Sequence, residues 1–343
     1  MEYINKLGST KRLLYFFIVR QKITIKNLFY LNRKHQHLFI LSPPFCGSTL
    51  LNEIISSSKN VSCNNNIGLR EGQHLPIAKD ILFTRDRWNN KKQINWKLIH
   101  NVWKKYWDRS KDIFLEKSPP NICRAIQIEK EFPNAKFICL VRNPYAQIEG
   151  KMRRHGTPAQ EAAELSIQYL KYQKKNIEDL NNTLLISYES LTENKKNKKK
   201  NIIAFLPELS DINTELKFNA HNLRAEKNMK ITNLNTEKIS KLTKEDLTII
   251  NSVFKKEESN PTPKIHGNHV INFGWPSATS AAARSCTRVM AGNQPTCERP
   301  TSTCVACSAC THIPACAASA CAIHRTRSAV DPAVTRIVFP AKP

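Results

Sequence analysis

Three short segments place anion-binding chemistry directly behind apolar runs. The first is Ser42-Pro43-Pro44-Phe45-Cys46-Gly47-Ser48-Thr49-Leu50-Leu51. A loop with Gly47 and two hydroxyls that enters a helix offers backbone N–H groups and the positive helix terminus, which together suit a phosphate or sulfate. It is not the nucleotide-triphosphatase P-loop, whose spacing demands a lysine just before the hydroxyl residue, where Gly47 stands. The second segment, Val141-Arg142-Asn143-Pro144, puts a forked guanidinium after a buried run. The third, Glu116-Lys117-Ser118-Pro119-Pro120, again sets a cation there. Taken singly, each has an ordinary reading as an N-capping serine or a solvated loop charge. Three of them behind successive apolar runs converge on one anion.

The elements that must position these groups follow from hydrophobic periodicity. His37 to Leu41, Phe114 to Leu115, Phe137 to Val141 and Leu184 to Tyr188 read as short buried strands. Leu50, Leu51, Ile54 and Ile55 recur at helical spacing, and further helices are predicted near Asn121 to Phe132 and Pro158 to Leu180. Strands alternating with helices imply βαβ units: an α/β fold with a parallel sheet flanked by helices in a single main domain. Ligands then sit beyond the carboxyl ends of the strands, where all three segments fall. Trp88, Trp96, Trp103 and Trp107, near Lys104, Lys105 and Arg109, invite an aromatic-basic binding face. Their i, i+4 and i+7 spacing makes core packing the plainer reading.

The 343 residues are 41% hydrophobic, 24% charged and 8% aromatic, an ordinary globular composition, with a formal charge of +25 that favours anionic partners. Three regions are expected: a basic and apolar lead-in over 1–35, the α/β domain over 36–275, and a Cys/Ala/Ser/Thr-rich tail over 276–343 outside the fold. The tail loses the helical and strand periodicity, and Phe339 is its only aromatic residue. Cys304, Cys307, Cys310 and Cys316, with His312 and His324, have metal-like spacing, but the stretch lacks the apolar packing of a metal module. No metal is expected. The lead-in has seven apolar residues, Leu13 to Val19, between Arg12 and Arg20, too few to span a membrane and without a cleavage site. A cytoplasmic protein without stable membrane insertion is expected. The lysine run Asn194 to Asn201 suggests nucleic acid, yet no aromatics interleave with it, so a solvated loop is expected.

PPFCGSTLL resembles the 5′-phosphosulfate loop of sulfotransferases, VRNPYAQIEG resembles their 3′-phosphate motif, and EKSPPN is similar to a segment of the bacterial and tyrosylprotein-type members. The likeness runs over about residues 36 to 240. It implies a P-loop-like fold and sulfuryl transfer from 3′-phosphoadenylyl sulfate (PAPS) to a hydroxyl or amine of a small-molecule, carbohydrate or peptide acceptor. By the same resemblance Phe45, Cys46, Gly47, Ser48 and Thr49 surround the 5′-phosphosulfate. Arg142, Gly150 and Arg154 belong to the 3′-phosphate site, Tyr188 lies near the adenine, and Lys230 belongs to a late segment over the nucleotide. Glu71, in Arg70-Glu71-Gly72-Gln73, corresponds to the tyrosylprotein-type general base, and the plain alternative is a surface carboxylate paired with Arg70.

The resemblance assigns catalysis to Glu71 and Lys117. A carboxylate takes the acceptor proton, and a preorganised cation with the N–H groups at Gly47 to Thr49 stabilises charge on the departing oxygen. The chain departs from the family at two positions: Phe45 stands where Arg or Lys is usual, and Gly150 where Ser is usual. A catalytically impaired PAPS-binding relative is therefore the first alternative, and a basic nucleic-acid-binding protein the second.

Overall fold

The computed structural model describes residues 9–67, 69–217, 230–259, 273–274 and 337–338. Its centre is a five-stranded parallel sheet of β1 (Gln36–Leu41), β2 (Val61–Cys63), β3 (Ile113–Glu116), β4 (Lys136–Val141) and β5 (Thr183–Ser187), in the order β2-β3-β1-β4-β5. In β1, Leu38 to Leu41 are each 0% exposed, because helices cover both faces of the sheet. That is why these strands read as continuous apolar runs and not as alternating ones.

Eleven helices accompany the sheet among the described residues. Before it comes α1 (Ser9–Asn27). The connections carry α2 (Ser48–Ser56), α3 (Ala78–Leu82), α4 (Trp96–Lys104), α5 (Ala125–Glu131), α6 (Pro144–His155) and α7 (Ala159–Asp179). After β5 come α8 (Tyr188–Glu193), α9 (Lys195–Phe205), α10 (Asn235–Ile239) and α11 (Lys244–Ser259). Local chemistry sets their ends. Asn143 accepts from the backbone N–H groups of Tyr145 and Ala146, Pro144 occupies the first turn of α6, and Gly156 closes that helix in the left-handed conformation. Gln173 of α7, wholly buried, donates from its amide nitrogen to the carbonyls of Leu41 and Leu140 at 2.8 and 2.9 Å, so one side chain ties the carboxyl ends of β1 and β4 together.

The structure differs from the expectations in three places. β2 is an additional strand, paired only through three residues. Tyr188 opens α8 instead of ending the strand, since Ser187 caps the helix by accepting from the Ser190 N–H at 3.1 Å. The lysine run is helix α9, not a loop. Lys198 is buried, Lys199 donates to the Ile212 carbonyl, and Lys195 pairs with Glu215, so part of its charge is spent internally. Core packing, the plainer reading of the tryptophans, holds for Trp96, Trp103 and Trp107, the last two at 0% exposure against Phe39, Phe114 and Phe132.

Phe273–Gly274 and Ile337–Val338 form a further parallel pair, β6 and β7. The cysteine and histidine spacing noted in the tail lies outside the described residues.

Candidate functional site

The loop between β1 and α2 is built on two positive-φ residues, Phe45 at 65° and Gly47 at 90°. Gly47 has a second constraint, because a Cβ there would stand 2.6 Å from Cδ2 of Tyr188. The aromatic ring therefore lies flush on the loop backbone and only glycine fits beneath it. The first-turn N–H groups of α2 have no partners within their own helix, which leaves them for a ligand. Cys46 turns its side chain into the core, where burial pushes its thiol far up, so only its backbone remains for binding. Ser48 is buried and Thr49 half-buried at the mouth of the helix.

Arg142, just past β4, is the hub on this side. Its Nε donates to Asn235 Oδ1 at 2.8 Å and its Nη1 to the Phe45 carbonyl at 3.1 Å, while the guanidinium carbon sits 3.9 Å from the Tyr188 ring centroid. Its Nη2 is buried and has no hydrogen-bond partner among the described residues. Behind it, Glu189 accepts from Asn235 Nδ2 at 2.5 Å and from the Asn143 backbone N–H at 2.8 Å. The Tyr188 hydroxyl donates to the Thr232 carbonyl and accepts from the Leu234 N–H, which draws the segment after Lys230 onto the site. Lys230 and Arg154 are themselves exposed, with no contact to Arg142 among the described residues.

The two family departures meet each other. A Cβ on Gly150 would lie 3.1 Å from both Cβ and Cγ of Phe45, whose ring also stands edge-on to His155, with centroids 5.6 Å apart. Phe45 thus fills the space a larger residue at 150 would need.

A second cluster surrounds Glu71 and Lys117. The Lys117 ammonium, 1% exposed, donates to Glu71 Oε1 at 3.2 Å, and Glu71 Oε2 accepts from Gln73 at 2.5 Å and faces His74 Nε2 at 3.3 Å. Glu71 is only 4% exposed, and Arg70 pairs with Glu53 of α2 instead, so the reading of Glu71 as a surface carboxylate held by Arg70 fails. Burial pushes the Glu71 carboxyl up. Its Lys117, His74 and Gln73 partners outweigh that and hold it below the usual carboxylate value.

Glu116, the last residue of β3, went unassigned at the level of sequence. It accepts from the Gly72 N–H at 3.0 Å and from the Ser118 hydroxyl at 2.5 Å, and Ser118 Oγ in turn accepts from the Gln73 N–H at 3.1 Å. This chain clamps the Glu71 loop onto the strand end that bears Lys117. Burial pushes the Glu116 carboxyl up to about 7, against the pull of its hydrogen bonds from Ser118, Asn64 and Gly72. A carboxylate closing a buried strand was the available signal. Asn235 and Glu189 gave none, being 93 and 47 positions from Arg142 in the sequence.

The arrangement presents anion donors on one side and an acid–base pair on the other. The family model described as the sulfotransferase family matches residues 37–209. Among solved structures, the chain is similar to the sulfotransferase domain of the Synechococcus PCC 7002 olefin synthase, at 19% identity over 68% of this chain and 98% of that one, with a TM-score of 0.39. It is also similar to a sulfotransferase from Alicyclobacillus acidocaldarius, at 15% identity over 65% and 97% of the two chains, with a TM-score of 0.36. Sulfotransferase STF1 from Mycobacterium tuberculosis H37Rv matches at 7% identity over 69% and 80%, with a TM-score of 0.41. No curated protein matches the chain.

Proposed function

As the chain belongs to the sulfotransferase family, we propose that it moves a sulfuryl group from PAPS to a hydroxyl or amine on a small-molecule, carbohydrate or peptide acceptor. The observation that carries the PAPS reading is Arg142: a buried guanidinium on an aromatic ring, two of its nitrogens bound to protein and Nη2 left without a partner among the described residues. A buried donor with nothing to donate to costs about 1 to 3 kcal/mol. A phosphate oxygen at Nη2 removes that cost with a charge-assisted hydrogen bond.

The residues present fit such a donor. Arg142 and the N–H groups from Gly47 to Thr49 hold its phosphates, and Tyr188 offers the ring face beside them. The donor supplies an activated sulfuryl group whose departure leaves negative charge on a bridging oxygen. Lys117 meets that charge with a cation already buried and oriented, so no solvent reorganises at the moment of transfer. Glu71, ionised at neutral pH, takes the proton from the acceptor. No step in this scheme uses a metal.

Titration with adenosine 3′,5′-bisphosphate, read by calorimetry, tests the reading. The intact chain is expected to bind, with Arg142→Ala weakening affinity roughly 10- to 100-fold, as for a charged hydrogen bond lost. Unchanged affinity in that variant removes the assignment. Transfer of label from PAPS to a hydroxyl and amine panel then separates an active enzyme from a relative that binds without turnover.

A further inference from the structure

The described residues have eleven large apolar side chains on the surface, and eight of them fall between Leu13 and Leu31. In α1, Leu13, Leu14, Phe17, Ile18 and Ile25 are 44 to 62% exposed. At 3.6 residues per turn they share an arc of roughly 140°. The helix is held to the body by its other side. Phe16 is 3% exposed against Tyr106, Asn27 donates to the Trp107 carbonyl at 2.9 Å, and Lys26 pairs with Asp108 at 2.7 Å. The apolar arc therefore faces away from the protein. The turn that follows extends it, with Phe29 81% and Leu31 61% exposed.

The flanks of this arc are basic, with Lys11 and Lys22 along one edge and Arg20 along the other, while Lys26 turns to Asp108 on the body. α1 carries Lys11, Arg12, Arg20, Lys22 and Lys26 and no acidic residue. Leu31 also lines a cleft with Lys104 and Arg109, neither of which pairs with a carboxylate among the described residues. An apolar stripe bordered by lysine and arginine, too short in its apolar run to cross a bilayer, is the pattern of a helix lying in a membrane interface. No described helix is long and apolar enough to span.

We propose that α1 and the turn after it dock this protein onto an anionic lipid surface. The charge pattern selects that occupant. A second copy would bring Lys11, Arg20 and Lys22 against the same three cations, with no acidic residue in the helix to meet them, whereas an anionic leaflet attracts each of them. The docked helix contacts Trp107 to Arg109, ahead of β3, so the membrane lies at the amino-terminal pole of the sheet. The candidate site opens at the carboxyl pole, toward acceptors in the aqueous phase.

The test is co-sedimentation of the full chain with vesicles of phosphatidylcholine alone and with about a third phosphatidylserine. Binding is expected only with phosphatidylserine and is expected to fall steeply as salt rises. Lys22→Gln should weaken it about fivefold, the worth of one cation near the surface. Leu13→Ser with Phe17→Ser should weaken it tenfold or more, because two anchoring side chains are removed. Both sets of residues are exposed, so thermal midpoint and bisphosphate affinity should stay at wild-type values. Equal partitioning to neutral and anionic vesicles, no partitioning, or unaltered binding by the Leu13/Phe17 variant overturns the proposal. So does a dimer in light scattering that the same substitutions dissolve.

Discussion

Replacing Glu71 with glutamine separates what this carboxylate does for the fold from what it does for the reaction. The Lys117 ammonium lies 3.2 Å from Glu71 Oε1, with the two side chains 1% and 5% exposed. At an effective dielectric near 20 the attraction is about 5 kcal/mol. Desolvating both charges offsets much of that. Removing one partner from a buried pair nevertheless costs about 3 to 5 kcal/mol, because the other stays buried and uncompensated. Glutamine keeps an oxygen for Lys117, so a loss of about 2 to 3 kcal/mol is expected, or roughly 5 to 10 °C in thermal midpoint. Sign follows from linkage: the folded carboxyl titrates below its ordinary value of 4.5. Its contribution is full above that value and disappears as pH falls through the folded one. The gap between wild type and Glu71→Gln should thus be wide at neutral pH and close in acid, as followed by calorimetric unfolding. Lys117→Met added to Glu71→Gln should recover most of the stability, since an apolar replacement of a buried pair is often neutral. It should recover none of the sulfuryl transfer, which Glu71→Gln alone lowers by 10²-fold or more. A pH-independent gap refutes the charge argument, and transfer returning together with stability refutes the proton-accepting role.

Two further outcomes are expected. Gly150→Ser should lower stability by about 1 to 2 kcal/mol by pressing on the Phe45 ring, whose Cβ and Cγ are 3.1 Å from the new Cβ. Combined with Phe45→Lys it should cost less than the two single changes summed, by about 1 kcal/mol in a double-mutant cycle, and strict additivity would deny the contact. For Glu116, raised to about 7 from 4.5, the folded state holds a proton that the unfolded state has lost, so its contribution to stability falls as pH rises between those values and stays low above about 7. Unfolding midpoints measured across that window should drop in wild type and lose most of that slope in Glu116→Gln. Parallel profiles would show that Glu116 is ionised throughout.

The sheet was legible because its strands are buried on both faces and stand out as apolar runs, and the three anion-bearing segments were legible because they follow those runs directly. β2 was not, since Val61 to Cys63 are too few residues to show a period. α9 read as a loop because its first turns are lysine and asparagine with no apolar stripe. Only Ile202 and the buried Lys198 side chain commit it to the core. α1 was noted only as a seven-residue apolar run between Arg12 and Arg20 and not as a helix, because its apolar residues serve both the body and the surface and so leave no single helical stripe. At the site, Arg142 and Lys117 were found from their positions at strand ends, whereas Asn235 and Glu189 reach Arg142 only through the tertiary fold. Glu116 sat one residue from Lys117 and was overlooked because nothing in its spacing shows that Gly72 and Ser118 converge on it.

The Phe45 and Gly150 contact also decides how charge is shared within the proposed reaction. A family member with a cation in the loop meets the leaving oxygen from the loop itself. Here the Phe45 side chain has no charge, its ring is packed against Gly150, and its carbonyl is held by Arg142 Nη1. Arg142 is committed on three sides, to Asn235, Phe45 and the Tyr188 ring, and its Nη2 is without a partner among the described residues, where the proposed donor's phosphate would sit. The cation left for the reacting end is Lys117, and Lys117 is held by Glu71. Base and electrophile are therefore coupled: when Glu71 takes a proton it loses its charge, and its hold on Lys117 weakens as the leaving oxygen needs a positive partner. In the proposed reaction the pair would hand charge from one end of the transfer to the other, which a fixed loop cation would not do. Restoring the family residue by Phe45→Lys with Gly150→Ser should accordingly make transfer less sensitive to loss of Lys117. The ratio of kcat with and without Lys117→Ala, measured in both backgrounds, reads that coupling, and an unchanged ratio would show that the loop position and Lys117 serve different steps.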